Sequence, residues 1–176
     1  MLLKAVLYDT NTLHRSITRI AHEIIERNQD ISSIVLIGIK TRGLPIAERL
    51  KKCISEIEGI DIPVGILDVS EFRDDLQYEK LRESFESQLS FPVNDKNIIL
   101  VDDVIYTGRT IRAALDCLIY HGRPKTVQLA VLVDRGHREL PIRADYVGKN
   151  IPTSKSEYVK ISLTETDEYD SIELFE

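Results

Sequence analysis

Residues 98–110 constrain the fold of this chain more than any other segment does. They read Ile-Ile-Leu-Val-Asp-Asp-Val-Ile-Tyr-Thr-Gly-Arg-Thr. A continuous apolar run of this kind indicates a strand that is buried on both faces of a parallel sheet. The run ends in two adjacent carboxylates, Asp102 and Asp103, and a loop with hydroxyl groups and a glycine follows. Thr110 occupies the position of a helix N-cap, so we expect a strand, a loop and a helix in direct succession.

The order of these groups indicates which ligand the loop binds. Backbone N–H groups and the helix dipole at the start of a helix favour an anion such as a phosphate. The carboxylates of Asp102 and Asp103 would repel a phosphate, but they accept hydrogen bonds from sugar hydroxyls. We therefore expect a phosphorylated sugar at this turn.

The rest of the chain alternates between strand and helix patterns. An amphipathic helix is expected over residues 11–28, and Pro45 suits the first turn of a second helix. The later predicted elements are the strand Ile34–Ile39, the helix Leu44–Ile57, the strand Val64–Val69, the helix over residues 110–121 and the strands Val127–Val133 and Tyr158–Leu163. We therefore predict one α/β domain over residues 1–176, with a doubly wound, mostly parallel sheet flanked by helices.

Residues 71–97 interrupt this alternation. They are polar and acidic and show only weak periodicity. A stretch of this length in a compact domain is typical of a mobile segment over a site, so we expect a flap there. Arg73 lies at the start of the segment, and we expect it to bring positive charge to the substrate.

The composition argues against several classes of protein. Charge appears too early for a signal peptide and no apolar stretch is long enough to cross a bilayer, which predicts a cytoplasmic protein without a membrane partner. Cys53 and Cys117 lie in helical patterns, so we expect reduced core thiols. The chain has no Gly-x-Gly-x-x-Gly segment, and the loop Gly38–Gly43 lacks the Lys-Ser/Thr pair of a nucleotide hydrolase. Metal-ligand motifs are also absent, so we expect no metal-ligating residues, and any metal would be Mg²⁺ that arrives with substrate phosphates.

Two further turns carry positive charge at the same edge of the predicted sheet. Lys40, Thr41 and Arg42 directly precede a helix, in a turn suited to a pyrophosphate. Arg135 follows the strand Val127–Val133, where it would stabilise charge on a departing phosphate group. The alternatives are a solvated turn and, for Arg135, a structural ion pair with Asp134.

The paired acids and the loop that follows them resemble the motif with which type I phosphoribosyltransferases bind phosphoribosyl pyrophosphate (PRPP). The resemblance implies that Asp102 and Asp103 hold the ribose hydroxyls and act in catalysis. The catalytic role of Arg135 is expected from its position and charge and not from the resemblance. The resemblance also implies that the turn Lys40-Thr41-Arg42 is a pyrophosphate loop. It also implies that the 5′-phosphate lies near Thr107 to Thr110. The substrate-binding residues expected at the motif are Asp102, Asp103, Val104, Ile105, Tyr106, Thr107, Gly108, Arg109 and Thr110.

A narrower resemblance extends over nearly the whole chain. The segments that carry it are Thr18–Glu23, Gly38–Gly43, Tyr106–Thr110, Val133–Pro141 and Arg143–Ser154. Together they are similar to the bacterial regulators of pyrimidine genes that are also uracil phosphoribosyltransferases. The resemblance implies that uracil and PRPP give UMP and pyrophosphate, with uracil bound by backbone groups near Val159. It also implies binding to a pyrimidine-operon mRNA leader, promoted by UMP or UTP, and assembly into homodimers or larger homo-oligomers.

The charge distribution favours an RNA partner despite a net charge of −6. Residues 121–160 hold eight basic and four acidic side chains, whereas residues 161–176 hold six acids and no base. A basic stretch inside an acidic chain is a candidate electrostatic footprint for phosphates, and arginine planes can stack on unpaired bases. The RNA-binding candidates are Thr18, Arg19, His22, Arg138, Arg143 and Lys149.

Two other functions fit the same residues. One is an RNA-binding regulator that retains the PRPP-like site only as a nucleotide sensor. The other is a purine salvage phosphoribosyltransferase with no RNA role. Turnover of uracil in the presence of PRPP and Mg²⁺, and competition among uracil, hypoxanthine and guanine, distinguish the three.

Overall fold

The computed structural model describes residues 2–72 and 89–176. Its helices and longer strands, in chain order, are β1 (Leu3–Tyr8), α1 (Thr10–Arg27), β2 (Ile34–Ile39), α2 (Gly43–Glu58), β3 (Val64–Leu67), β4 (Asn97–Ile105), α3 (Arg109–His121), β5 (Thr126–Asp134), β6 (Tyr146–Asn150), β7 (Tyr158–Ser162) and β8 (Ser171–Phe175). Short 3-10 turns lie at Ile31–Ser33 and Ser70–Phe72. Within the described ranges, no helix has the length and apolar character needed to cross a membrane.

The central sheet is parallel. Among the described strands, five take part, in the order β3-β2-β4-β5-β6, and each neighbouring pair runs parallel. β2 is buried along its whole length. Because the carboxyl ends of parallel strands lie at one edge, the turns after β2, β4 and β5 share that edge. These observations confirm the predicted doubly wound α/β fold.

The two faces of the central sheet bury alternate residues of each strand, as the period of two requires. In β2, Leu36 belongs to the core that includes Leu13 of α1 and Leu50 of α2. The next residue, Ile37, belongs to the core that includes Leu118 of α3. Helices therefore cover both faces, and this is why strands such as β2 are apolar throughout.

A second sheet is antiparallel, and β8 lies in its middle among the described strands, with β1 and β7 on either side. Leu3 and Tyr158 both pair with Phe175. The strand predicted at Tyr158–Leu163 is confirmed, but β1, β6 and β8 were not predicted. β1 shows why: Leu3 and Val6 are exposed, so its burial follows no regular alternation that a sequence pattern could reveal.

β4 is longer than the sequence suggests. It continues past Asp102 and Asp103 to Ile105, because its parallel pairing with β5 extends as far as Ile105 beside Asp134. The two acids are therefore strand residues, and the prediction that the strand ends at them is wrong by two residues.

α3 also begins earlier than its predicted cap. The N-cap is Gly108, which has a φ of 92°, and the helix starts at Arg109. The left-handed conformation of the glycine turns the chain into the helix without a side-chain cap. Thr110 is exposed in the first turn, so its prediction as the N-cap is wrong.

Part of the predicted flap, residues 73–88, lies outside the described residues, and so does Arg73 with its expected substrate contact. The stretch from Leu89 onward packs on the central sheet. Val93 is buried, and side chains of Leu89 and Phe91 lie beside Gly65 in β3. This part of the predicted flap belongs to the core.

Candidate active site

α2 begins very close to the central sheet. A Cβ atom built on Gly43 would lie 2.2 Å from the carbonyl oxygen of Val101 in β4, and one built on Gly38 would lie 2.4 Å from the Cα of Leu44. Only glycine permits backbones to approach this closely. The approach places Arg42, the residue before α2, at the carboxyl edge of β4.

Lys40 and Thr41 form the rest of the turn between β2 and α2, and the peptide bond between them is cis. The Nζ of Lys40 donates a hydrogen bond to Oδ2 of Asp68 at 2.8 Å. Hydrogen bonds from Lys40 and then Ser70 lower the pKa of Asp68 to about 2. The turn therefore carries a lysine at the sheet edge, tied to the residue that follows β3.

Asp102 and Asp103 have different surroundings. Asp102 is only 7% exposed, whereas Asp103 is half-buried and lines a cavity. Oδ1 of Asp102 accepts a hydrogen bond from the N–H of Asp103 at 2.9 Å, and Oδ1 of Asp103 accepts one from the N–H of Val104 at 2.7 Å. Both carboxylates are thus held by backbone N–H groups at the strand end.

The same burial changes how these acids titrate. Burial, followed by the charge of Asp103, raises the pKa of Asp102 well above its ordinary value. Burial also raises the pKa of Asp103, while the Val104 N–H and the charge of Arg42 oppose that shift. Acids with raised pKa values beside a cleft are more common at functional sites than elsewhere.

Residues 106–108 join β4 to α3. Oγ1 of Thr107 accepts a hydrogen bond from the N–H of Arg109 at 3.3 Å. The carbonyl oxygen of Thr107 accepts hydrogen bonds from the N–H groups of Glu139 at 3.0 Å and Leu140 at 3.2 Å. The segment after β5 thus supports this loop from outside. The start of α3, with a glycine cap and no side-chain cap bond, is a geometry that favours a bound anion.

A cavity of about 340 Å³ lies where this edge of the central sheet meets β7. The residues that line it are Arg42, Asp103, Val104, Tyr106, Arg135, Tyr158, Val159, Lys160 and Ile161. Most of them were predicted from the sequence as substrate-binding residues. Eight other described residues were predicted to bind substrate but do not line this cavity: Lys40, Thr41, Asp102, Ile105, Thr107, Gly108, Arg109 and Thr110.

Arg135 is 7% exposed and lies on the β7 side of the cavity. Its Nη2 donates to the carbonyl oxygen of Glu157 at 2.8 Å, and its Nε donates to Oγ1 of Thr153 at 3.2 Å. Its guanidinium carbon lies 4.0 Å from the centre of the Tyr106 ring, in cation–π geometry. Arg135 therefore connects the loop after β4 with the backbone that leads to Val159.

The structure adds an acidic loop that the sequence analysis did not assign to the site. Both carboxylate oxygens of Asp167 lie 3.5 Å from Nη2 of Arg42. Oδ2 of Asp167 also accepts a hydrogen bond from the N–H of Leu163 at 3.0 Å. The available signal was the acidic run in residues 161–176, which directly follows the predicted strand Tyr158–Leu163.

The predicted RNA-binding residues fall into two groups. Thr18, Arg19 and His22 lie on α1, and Arg19 donates from Nη2 to the carbonyl oxygens of Val147 and Gly148 in β6, at 3.1 Å and 2.6 Å. Lys149 follows Gly148 in the same strand, with its Nζ 5.0 Å from the ring centre of Tyr8. α1 and β6 thus bring Arg19 close to the strand that carries Lys149.

Arg138 and Arg143 belong to the segment between β5 and β6. Arg143 is exposed. Arg138 is half-buried and donates from Nη1 to Oδ1 of Asp134 at 2.8 Å and from Nε to the carbonyl oxygen of Ile142 at 2.8 Å. Asp134 therefore forms its ion pair with Arg138. The alternative that Arg135 forms a structural ion pair with Asp134 is wrong.

Solved structures with the same fold are phosphoribosyltransferases. A hypoxanthine phosphoribosyltransferase from Trypanosoma cruzi, solved as a ternary substrates complex, matches with a TM-score of 0.79 and 18% identity, over 99% of this chain and 96% of that one. A hypoxanthine-guanine phosphoribosyltransferase from Bacillus anthracis matches with a TM-score of 0.72 and 20% identity, over 98% of both chains. The architecture is therefore that of the type I phosphoribosyltransferases.

Sequence relatives narrow the class. The family model described as "Phosphoribosyl transferase domain" matches residues 6–166. "Bifunctional protein PyrR" of Deinococcus radiodurans is 57% identical over 98% of this chain and 95% of its own. The protein of the same name from Clostridioides difficile is 56% identical over the full length of both chains. The chain belongs to the phosphoribosyl transferase family and, within it, to the bifunctional PyrR proteins.

Proposed function

We propose that this chain is a uracil phosphoribosyltransferase, which converts uracil and PRPP to UMP and pyrophosphate, and that it is also an RNA-binding regulator. In the second role it binds a pyrimidine-operon mRNA leader when UMP or UTP is bound, and so attenuates transcription. The observation that carries the proposal is the cavity in which Arg42, Asp103, Arg135 and Val159 meet, in a chain of the PyrR family. One domain over residues 1–176 performs both roles.

The sugar phosphate occupies the carboxyl end of β4. The 5′-phosphate accepts hydrogen bonds from backbone N–H groups of the turn from Tyr106 to Thr110, at the start of α3. The ribose hydroxyls donate to the carboxylates of Asp103 and Asp102. The raised pKa values of these acids mean that sugar hydroxyls, which are neutral donors, suit them better than another anion does.

The pyrophosphate leaves on the side of the Lys40–Arg42 turn. Departure leaves cationic character on C1 of the sugar and puts negative charge on the pyrophosphate. Arg42 lies at the start of α2 and lines the cavity. A guanidinium held there stabilises the developing phosphate charge in a site with little water.

Mg²⁺ enters with PRPP as part of the substrate. Among the residues that the structure describes, no three His, Cys, Asp or Glu side chains are grouped so that they could hold a metal ion. Mg²⁺ binds phosphate oxygens and water readily and needs only one or two protein carboxylates. Phosphate oxygens and water therefore supply most of its ligands.

Uracil occupies the β7 side of the cavity. Val159 is buried in β7, and it lines the cavity together with Tyr106 and Arg135. The N–H and C=O groups of a strand backbone can form hydrogen bonds with the alternating C=O and N–H groups along the edge of uracil. The Arg135 guanidinium, held over Tyr106 at 4.0 Å, places a positive charge at this end of the site.

RNA binds through the residues of α1 and β6, with the segment after β5 contributing further charge. Arg19 and Lys149 supply phosphate contacts, and the exposed Arg143 extends the surface. The partner is an mRNA leader, so the protein acts in the cytoplasm, as a homodimer or a larger homo-oligomer that presents more than one such surface.

The deciding experiment incubates the purified chain with PRPP, Mg²⁺ and one of three bases, and measures nucleotide formation. We expect UMP from uracil and little product from hypoxanthine or guanine. Binding of UMP without turnover of uracil would favour a regulator that uses the site only as a sensor. Preferential turnover of hypoxanthine or guanine would favour a purine salvage enzyme.

A further inference from the structure

Arg49 in α2 makes an unusually dense set of contacts with the loop between β7 and β8. Its Nε donates to Glu165 at 2.7 Å, and its Nη1 and Nη2 donate to the two carboxylate oxygens of Asp170 at 2.8 Å and 2.7 Å. Nη2 also donates to Oγ1 of Thr164 at 2.9 Å. The side chain of Arg49 is 19% exposed and that of Asp170 is 7% exposed.

These contacts fix the shape of the loop as well as its place. Oδ1 of Asp170 also accepts a hydrogen bond from the N–H of Thr164 at 2.8 Å, so one carboxylate connects the loop's beginning, its end and Arg49. A forked pair of parallel hydrogen bonds from a guanidinium to a carboxylate has a defined geometry that a lysine ammonium cannot reproduce. The loop is therefore held rigidly against α2.

The same loop reaches the proposed pyrophosphate turn. Asp167 lies between Glu165 and Asp170, and its carboxylate lies 3.5 Å from Nη2 of Arg42. Arg42 and Arg49 are seven residues apart, about two helical turns, so both meet the loop on one side of α2. Arg49 holds the loop in place, and the loop in turn orients Arg42.

The side chain of Arg42 is 36% exposed and is only weakly held by its contact with Asp167. Its Nε is buried, and among the described residues it has no hydrogen-bond partner. Its contact with Asp167 is at the long limit for a hydrogen bond. A buried donor without a partner is costly, and this one belongs to a residue that lines the cavity.

We propose that Arg49 is a positioning residue for the phosphoribosyl transfer: it holds the loop 163–170 so that Asp167 directs Arg42 at the pyrophosphate of PRPP. The inference rests on the proposed function. Arg49 itself touches no substrate. Its effect is specific for ligands that carry a pyrophosphate, because β7, which carries the uracil site, is held separately by its pairing with β8.

The test compares the affinities of the wild type and of Arg49→Met for PRPP, pyrophosphate and UMP, measured by calorimetry. We expect the affinity for PRPP and pyrophosphate to fall by about tenfold, the effect of losing one charge-assisted contact. The affinity for UMP, which has no pyrophosphate, stays within about twofold. Arg49→Lys recovers only part of the loss, because an ammonium cannot reproduce the forked pair of hydrogen bonds to Asp170.

Lys51→Met is the matched control. Lys51 lies on the same helix and pairs with Asp61 at 3.0 Å, away from the loop, so its loss changes none of the three affinities. Asp167→Asn is the second variant, in case Arg49→Met folds poorly. This substitution keeps an acceptor for the Leu163 N–H but removes the charge beside Arg42. We expect it to lower the affinity for PRPP and pyrophosphate without lowering the affinity for UMP.

Two results would overturn the inference. One is an equal loss of UMP and PRPP affinity in Arg49→Met and Asp167→Asn, which would mean that the loop merely supports the fold. The other is an unchanged affinity for PRPP and pyrophosphate in both variants. A wild type that binds PRPP but makes no UMP would instead contradict the proposed enzyme, and the binding measurements would still decide the role of Arg49.

Discussion

The N–H of Asp103 donates a hydrogen bond to the carboxylate of Asp102 at 2.9 Å, so the two neighbouring acids are connected through the backbone of β4. The contact stabilises the ionised form of Asp102, but burial outweighs it, and the pKa of Asp102 is raised. A chain that retains a buried acid of this kind loses stability for it. The cost is consistent with a site that is built for a ligand rather than for the fold.

The first prediction concerns Asp102→Asn. Because the raised pKa makes the folded state bind the proton more tightly than the unfolded state does, stability falls as the pH rises from the ordinary value of 3.8 through the raised pKa. The side-chain amide of an asparagine carries no charge at any pH in this range. We therefore expect Asp102→Asn to melt at a higher temperature than the wild type at pH 8, with a smaller difference at pH 4, and to bind PRPP more weakly. Scanning calorimetry over this pH range and PRPP titration measure both effects.

Asp103→Asn is the companion variant. Its pKa is also raised by burial, but the residue is more exposed than Asp102, so its effect on the melting temperature is smaller. Its effect on PRPP affinity is as large or larger, because Asp103 lines the cavity. Normal kinetics in the double variant would remove the ribose-binding assignment of both acids.

The second prediction concerns the ring of Tyr106 under the Arg135 guanidinium. Tyr106→Phe keeps the aromatic face and should leave the KM for uracil within about twofold. Tyr106→Leu removes the cation–π contact, worth about 0.5–2 kcal/mol, and should raise that KM about threefold or more. Steady-state kinetics with varied uracil measure the difference, and equal values for the two variants would argue that Arg135 is held by Thr153 and Glu157 alone.

The third prediction concerns the close approach of α2 to β4. In Gly43→Ala the new Cβ would lie 2.2 Å from the Val101 carbonyl oxygen, so backbone must move. We expect a loss of about 3 kcal/mol or more in the free energy of unfolding. Gly59→Ala is the control: Gly59 has a φ of 68° with nothing within 4 Å of the added Cβ, so strain alone should cost about 1 kcal/mol. Urea denaturation compares the two, and similar losses would contradict the close contact.

The fourth prediction concerns RNA. Binding of a pyrimidine-operon leader in the presence of UMP should weaken as salt rises, with a linear dependence of log K on log salt. Arg19→Ala and Lys149→Ala should each make that slope shallower by about 0.7, the value for one lost phosphate contact on a single strand. Lys51→Ala removes one positive charge outside α1 and β6 and should leave the slope unchanged. Salt-independent binding, or none with UMP present, would count against the RNA surface.

Residues in buried strands were predicted well because their pattern has a single physical cause. β2, β4 and β5 are covered on both faces, which demands apolar residues throughout. The edge strands β1 and β6 are not covered in this way, so their residues need not be apolar throughout. Val6 of β1 is exposed and Lys149 of β6 is half-buried, so tertiary pairing, rather than a local pattern, makes these segments strands.

The candidate site was predictable where one segment carries several groups, and not where distant segments meet. Asp103 and Tyr106 belong to one continuous motif. The contact of Arg42 with Asp167 joins residues 125 positions apart, and each alone is an ordinary charged side chain. The cap at Gly108 was missed for a different reason: a left-handed glycine replaces the side-chain cap that Thr110 suggested.

The most direct measurement is a crystal structure of the chain with bound UMP. The phosphate should accept hydrogen bonds from backbone N–H groups between Tyr106 and Thr110, the ribose hydroxyls should face Asp103, and the uracil should lie against Val159. UMP bound anywhere else, with the turn after β4 left without a ligand, would contradict both the enzyme and the nucleotide-dependent regulator.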